Sequence, residues 1–369
     1  MRIGYFIRNI GISGGVKVFL QHVQMLKDLH CEVVLITRRI VDDWISVPHD
    51  TVVLKRDDLA DIPECGLYVA TFASDVRRLF RTAKARTAHL CQGYEPDEYW
   101  ARIKGESVPE KYATGKHVLG RLKKYRNSLH FKRKIREFDA TYRLPTIKIA
   151  VSRNLALLIE KRYQQKCFLV QNGIDHNVFY PNRMRAWGGA DRQAPLKILS
   201  IGSISVGAKG IPDTLEAIRI MKQRRAINFT RVSPGPPSQK EMASGIIDRF
   251  LTGLTEEEMA LLYRDTDIFI SASLEAEGFG LPAIEALASG VPSILTEISA
   301  HESFSVSRDF AWFVPTHAPD KIALGIETFV ENPALRERCI EKGIEVAGTF
   351  TLDRMKEDLA RFINEVCAL

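Results

Sequence analysis

The stretch DIFISASLEAEGFGLPAIEALASGVPSI, Asp267 to Ile294, contains the repeating unit of the fold. Its apolar run Ile268, Phe269 and Ile270 reads as a strand buried on both faces, EGFG as a loop, and Pro282 as the first turn of a helix carrying Ile284, Leu287 and Ala288 inward. Strand, glycine turn, helix and a second apolar strand make a parallel α/β unit. Such a turn aims backbone N–H groups and the positive helix end at the space above the carboxyl edge of the sheet, which favours a phosphate. Gly278 and Gly280 let a ligand approach the backbone. Glu277 and Glu285 flank the turn. Pointed at phosphate they would repel it, so they are read as hydrogen-bond acceptors for hydroxyls on either side of it, Glu285 toward a ribose and Glu277 toward a sugar. Taken alone, the pair also fits a plain helix-dipole role.

The same alternation extends in both directions. In the first half, RIGYFI, an amphipathic stretch from Val16 to Leu29, EVVLIT, GLYVATF, TAHLCQG and IKIAVS follow one another. YPNRMRAWGGADRQAP, Tyr180 to Pro195, is rich in turn formers and lacks periodicity, as a linker would. Beyond it LKILSIGS, DRFLTGL, DIFISAS, PSILTEI and AWFVP resume the pattern. Two doubly wound Rossmann-like domains facing a cleft are expected, residues 1–185 and 186–351. LDRMKEDLARFINEVCAL, residues 352–369, places Leu352, Met355, Leu359, Phe362, Ile363 and Val366 on one face of a helix expected to pack back on the first domain.

The 369 residues, 26% charged and 45% hydrophobic, suffice for two cores. No apolar run reaches the roughly 18 residues a spanning helix needs, and Met1-Arg2 leads directly into IGYFI rather than a signal segment, so a cytoplasmic location is expected. The six cysteines are scattered without CxxC or paired histidines, which argues against a disulfide framework or a zinc site. A net charge of +7 implies an acidic partner of some kind.

EGFGLPAIEALASGVP resembles the E-x7-E signature of retaining GT-B glycosyltransferases, glycosyltransferase family 4. QNGID at Gln171 to Asp175, with Phe179 and Pro181, is similar to that family's entry into the interdomain linker. SGG at Ser13 to Gly15 is similar to its first glycine loop, and AKGIPDTLEAI at Ala208 to Ile218 to the segment after the first strand of its donor domain. The resemblance implies a nucleoside diphosphate sugar as donor, held by the C-terminal domain, and a saccharide or lipid-linked acceptor. It implies Glu285 on the ribose, Glu277 on a donor-sugar hydroxyl, backbone amides of Gly278, Phe279, Gly280 and Leu281 on the diphosphate or sugar, Lys209 on the leaving diphosphate, and Gly14 and Gly15 approaching the phosphates from the other domain. It implies retention by front-face attack without an enzyme nucleophile, and no metal or other cofactor. ATFAS and CQGYEP are similar to a rhamnosyltransferase branch.

Three departures stand out. Ser203 replaces the arginine usual after the glycine of SIGSIS, leaving another cation such as Arg231 to supply that phosphate contact. Gln92 occupies the place of a histidine at a strand end; it can hydrogen-bond a sugar but cannot act as a base. Ser299 to Ser303 lacks the usual glycines. Asp265 and Asp267 form a DxD, but at the amino end of their strand, roughly 20 Å from the glycine turn. Tyr94, Tyr99 and Trp100 fit either acceptor stacking or packing. Residues 115–138 set Arg121, Lys123, Lys124, Arg126, Lys132, Arg133 and Lys134 beside Val118, Leu122, Tyr125 and Leu129, which fits a solvated helix or an anionic inner membrane face; no nucleic-acid motif accompanies them. The competing functions are a nucleotide-sugar epimerase and a catalytically degenerate nucleotide-sugar-binding protein. A dinucleotide oxidoreductase is disfavoured, because RNIGISGGVKV is not GxGxxG and no acid closes EVVLIT.

Overall fold

The computed structural model describes residues 1–41, 46–55, 59–105, 118–182 and 194–368. The chain divides into two compact units: residues 1–96, 132–173 and 352–369, and residues 97–131 and 174–351. Among the described residues the first unit contains β1 (Ile3–Ile10), α1 (Gly14–Asp28), β2 (Val33–Ile40), β3 (Val52–Val53), β4 (Leu67–Ala70), α2 (Ala73–Thr82) and β5 (Arg86–Cys91). α3 (Glu95–Lys104) and α4 (Val118–Tyr142) cross the divide, and β6 (Ile147–Ala150), α5 (Arg153–Tyr163) and β7 (Cys167–Leu169) complete the series. The strands pair in parallel in the order β3-β2-β1-β4-β5-β6-β7. That arrangement requires helical crossovers, and β1 and β4 at its centre are buried on both faces, as their continuous apolar runs demand.

The second unit contains β8 (Leu196–Ile201), α6 (Ile211–Lys222), β9 (Ile227–Val232), α7 (Gln239–Ala243), β10 (Arg249–Leu251), α8 (Glu256–Arg264), β11 (Ile268–Ser271), α9 (Leu281–Ala288), β12 (Ser293–Thr296), α10 (Ser299–Glu302), β13 (Trp312–Val314), α11 (Pro319–Glu331) and α12 (Pro333–Ala347). Its parallel order is β10-β9-β8-β11-β12-β13. Ile198, Ala217, Ile218, Phe229, Ile268, Ile270 and Ile294 form the core, closed by Ile322, Ile326 and Phe329 of α11. Both units are therefore Rossmann-like, with their ligand edge at the carboxyl ends of the strands.

Two features of the division have clear packing causes. α13 (Leu352–Ala368) belongs to the first unit: Phe362 meets Phe168 edge to face at 5.2 Å, Arg86 donates to the Val366 carbonyl at 2.6 Å, and Asp358 accepts from the Gln171 amide at 3.1 Å. Ile174 to Phe179 already belongs to the second unit, ahead of the sequence-based boundary at 185. Phe179 is buried against Tyr263 at 6.0 Å, and Arg264 donates to the Val178 carbonyl at 2.9 Å. Residues 183–193 of the expected linker lie outside the described residues, as do residues 115–117 of the basic stretch. Within α4, Phe131 and Ile135 are buried, while Tyr125 and Leu129 stand 65% and 49% exposed among exposed Lys123, Lys124, Arg126, Lys132 and Arg133. No described helix is long and apolar enough to cross a membrane.

Candidate active site

β11 ends at Ser271, and the chain passes through Ser273, Leu274 and Glu277 into α9. Gly280 is the N-cap of α9, at φ +91, without a side-chain cap, and proline stands in the first turn. A left-handed residue suits glycine, and the uncapped helix start keeps its N–H groups and positive end available to an anion. Phe279 is buried against Phe304 and Phe350, both at 5.5 Å, so its ring anchors the turn and only its backbone is left for a ligand. Leu281 begins the helix, half-buried.

Lys209 reaches this turn from the loop after β8. Gly202 at φ +137 lets the Lys209 stem cross over it, and Gly210 at φ +57 packs directly on the Ala272 carbonyl while capping α6. The Leu274 amide donates to the Ala208 carbonyl at 2.7 Å, tying the two loops together. The Lys209 ammonium lies 2.6 Å from the Glu277 carboxylate, their side chains 25% and 12% exposed. Burial alone would raise the Glu277 pKa, but the Lys209 charge, the nearby His301 ring and the Ser273 hydroxyl at 3.2 Å hold it below the ordinary carboxylate value.

Glu285 lies one turn into α9 and is buried. The Tyr263 hydroxyl of α8 lies 3.1 Å from both the Glu285 carboxylate and the Pro282 carbonyl, so one proton is shared between them. Burial pushes the Tyr263 phenol well up, which keeps it a neutral donor at all ordinary pH. Tyr263 and His301 were not among the sequence candidates. The only signal for either was an aromatic or histidine near the end of an element, which is common in any core.

The remaining candidates separate. Arg231 does not present charge to a phosphate. It lies on β9 and is 0% exposed, donating to the Ser200 carbonyl at 2.8 Å, to the Gly202 carbonyl at 2.5 Å and to Glu241 at 3.2 Å. Its position is corrected from ligand cation to strut beneath the loop that carries Ser203 and Lys209. The Ser203 hydroxyl turns back on the Ser205 hydroxyl at 2.8 Å. Asp267 accepts from the Lys197 amide at 2.8 Å and Asp265 pairs with the Lys197 ammonium at 2.6 Å, at the amino end of β11.

In the first unit, Ser13 caps α1 by accepting from the Val16 amide at 3.1 Å, and Gly14 and Gly15 form its first turn. Gln92, just past β5, donates to the Gly15 carbonyl at 2.9 Å, and its carboxamide occupies the space a methyl group on Gly15 would need. Gln92 thus braces the glycine loop. His89 is buried in β5 against Tyr142 at 5.0 Å. Among the three aromatics near residue 95, Tyr94 is buried, its hydroxyl 2.7 Å from that of Tyr163, and Tyr99 packs on Phe131. Trp100, 40% exposed, lines a cavity of about 270 Å³ with Glu98, Lys104, Glu275, Ala276 and His317, next to the Glu277 loop.

Residues 190–346 match the family model for glycosyl transferases group 1. The match lies within the second unit, and the fold of the chain is GT-B, as in the solved structures it aligns with. Among curated relatives, the MMP alpha-(1->4)-mannosyltransferase of Mycolicibacterium hassiacum is 32% identical over 37% of the chain and 32% of the relative. The phosphatidyl-myo-inositol mannosyltransferase of Mycobacterium leprae is 22% identical over 46% of each. The matches thus span about a third to a half of these relatives' length. Solved structures align over nearly the whole chain. The sucrose-phosphate synthase of Thermosynechococcus elongatus has a TM-score of 0.72 at 15% identity, covering 100% of the chain and 99% of its own. HepE of Anabaena, solved in complex with UDP-glucose, has a TM-score of 0.71 at 14% identity, covering 99% and 100%.

Proposed function

We propose that this protein is a glycosyltransferase that moves a hexose, mannose in preference to a deoxyhexose such as rhamnose, from a nucleoside diphosphate sugar to a saccharide or lipid-linked acceptor in cell-surface glycan synthesis. The observation that carries the proposal is the Lys209–Glu277 pair, 2.6 Å apart, beside the uncapped start of α9, with Glu285 one turn on. A cation and a helix N-terminus suit a departing diphosphate, and the two carboxylates suit hydroxyls on its two sides. The mannosyl names of the relatives favour mannose as the sugar. A transferase, rather than an epimerase or a degenerate binder, accords with those names and with Glu277, Glu285, Lys209 and the glycines of the turn at 278–280 standing together.

In this scheme Lys209 and the α9 amides take up the charge of the diphosphate, Glu285 holds the ribose, and Glu277 holds a donor-sugar hydroxyl. The leaving phosphate helps deprotonate the acceptor on the same face, which yields retention without an enzyme nucleophile and without a metal. Trp100, beside carboxylates that accept hydroxyl protons, offers a face on which an acceptor sugar ring stacks. The exposed cations of α4 draw the protein to an anionic inner membrane surface, where a lipid-linked acceptor would lie.

The test is thermal stabilisation by UDP, GDP, dTDP, ADP and their sugars, since a ligand at about 100 times its dissociation constant adds roughly 2.7 kcal/mol. A selective response that Glu285→Ala abolishes is expected. Folded protein that answers to none of them contradicts the proposal.

A further inference from the structure

We propose that His301 is a positioning residue for Glu277, acting through the hydroxyls of Ser271 and Ser273; the catalytic part of this inference rests on the donor site proposed above. His301 lies on α10, in the segment where glycines were expected, and is fully buried. Its Nδ1 is 2.9 Å from the Thr296 carbonyl. A carbonyl only accepts, so Nδ1 carries the proton and Nε2 is left as an acceptor. Nε2 faces the Ser271 hydroxyl at 3.4 Å, Ser271 meets Ser273 at 3.2 Å, and Ser273 donates to Glu277 at 3.2 Å, on the same oxygen that Lys209 approaches.

The chain of contacts runs from a strand-end carbonyl to the carboxylate without leaving the protein. The Thr296 hydroxyl donates to the Ser273 carbonyl at 2.5 Å, which fixes the backbone that carries the second serine. The ring also fills the space beneath the glycine turn: a methyl group on Gly280 would lie 3.3 Å from its Cδ2 and 3.4 Å from its Nε2. One imidazole therefore sets both the direction of the Glu277 carboxylate and the height of the turn that begins α9. Two serine hydrogens serve three contacts: with Ser271 donating to Nε2 and Ser273 to Glu277 no proton lies between the two serines, and a proton placed there is taken from one end, so removing one member rearranges the rest.

The experiment has a ligand-free arm and a kinetic arm. In histidine-labelled protein, nitrogen NMR should show His301 as the neutral Nδ1–H tautomer, with an Nε2 signal that moves in Ser273→Ala and in Glu277→Gln. An unmoved signal in both, or the other tautomer, overturns the relay whatever the protein binds. With the nucleotide sugar selected by the thermal panel, Ser273→Ala and His301→Asn should each lower kcat about tenfold, the effect of one misplaced hydrogen bond, with the affinity for the bare nucleoside diphosphate unchanged. In a Glu277→Gln background the same changes should have no further effect on kcat. Unchanged kcat in Ser273→Ala, or additive losses in the double variants, overturns the proposal. If no nucleotide sugar binds wild-type protein, the donor-site assignment fails and the NMR arm alone decides the relay.

Discussion

Lys209 is charge-compensated within the protein, because Glu277 stands 2.6 Å from it. Replacing that carboxylate by an isosteric amide frees the cation, so Glu277→Gln should bind a nucleoside diphosphate more tightly, by about tenfold or ~1.4 kcal/mol, while turnover falls. Calorimetry with the bare diphosphate measures the first effect. Weaker binding would show that Lys209 does not meet the phosphates. Glu277 and Glu285 could be picked out in the sequence because their spacing around a glycine turn is a local signal, whereas Lys209, 68 residues away, was named only by the family resemblance. Arg231 was misassigned for the opposite reason. INFTRV was not read as a strand, and without β9 the cation had no reason to be inside. Its partner Glu241 lies on a helix beyond the next loop, a tertiary fact with no trace in local spacing. His301 was missed on the same ground, since each of its contacts crosses between elements.

At the scale of elements, the glycine turns were the easiest part to anticipate and are the least replaceable. Gly210→Ala must put a side chain at φ +57 and drive it into the Ala272 carbonyl, where β11 ends. An unfolding free energy lower by about 2 to 4 kcal/mol is expected in urea, together with loss of nucleotide binding, because Lys209 precedes the glycine. Wild-type binding in the folded variant would separate the α6 start from the site. For α4 the sequence showed the charges but left their surroundings open. The structure turns Tyr125 and Leu129 outward beside Lys123, Lys124 and Arg126. Reversing those three cations to glutamate should weaken binding to vesicles rich in anionic lipid by about 100-fold, at ~1 kcal/mol each, and salt should weaken the wild type likewise. Equal sedimentation of both proteins would mark the helix as merely solvated.

Across the whole molecule, His22, His89 and His301 are buried and held neutral, with pKa values lowered by burial to about 3, about 3 and about 4, the Lys148 charge adding to the effect at His89. An unfolded chain protonates these rings near 6.5, whereas the native protein does not until well below, so unfolding takes up protons in that interval. Stability should therefore decline as pH falls from about 6.5 toward 4, joined at lower pH by loss of the depressed Glu277. Thermal denaturation from pH 7 to 4 checks this, and a midpoint unchanged between 7 and 5 contradicts it. His301→Asn should lessen the slope. The two-unit architecture was visible in the alternation of apolar runs. The place where the chain leaves the first unit was not, since Phe179 finds its partner in Tyr263, far along the sequence.

The helix α13 closes the first unit with a stretch of chain that follows the whole of the second, so the unit begun earlier in synthesis is completed later. Until Leu352 to Ala368 are released, β7 and α1 wait with their apolar faces uncovered, while the second unit already holds all of its own segments. Synthesis thus finishes the second unit, which carries the proposed nucleotide site, before the first, and a nascent chain stalled short of α13 has the apolar faces that call for a chaperone.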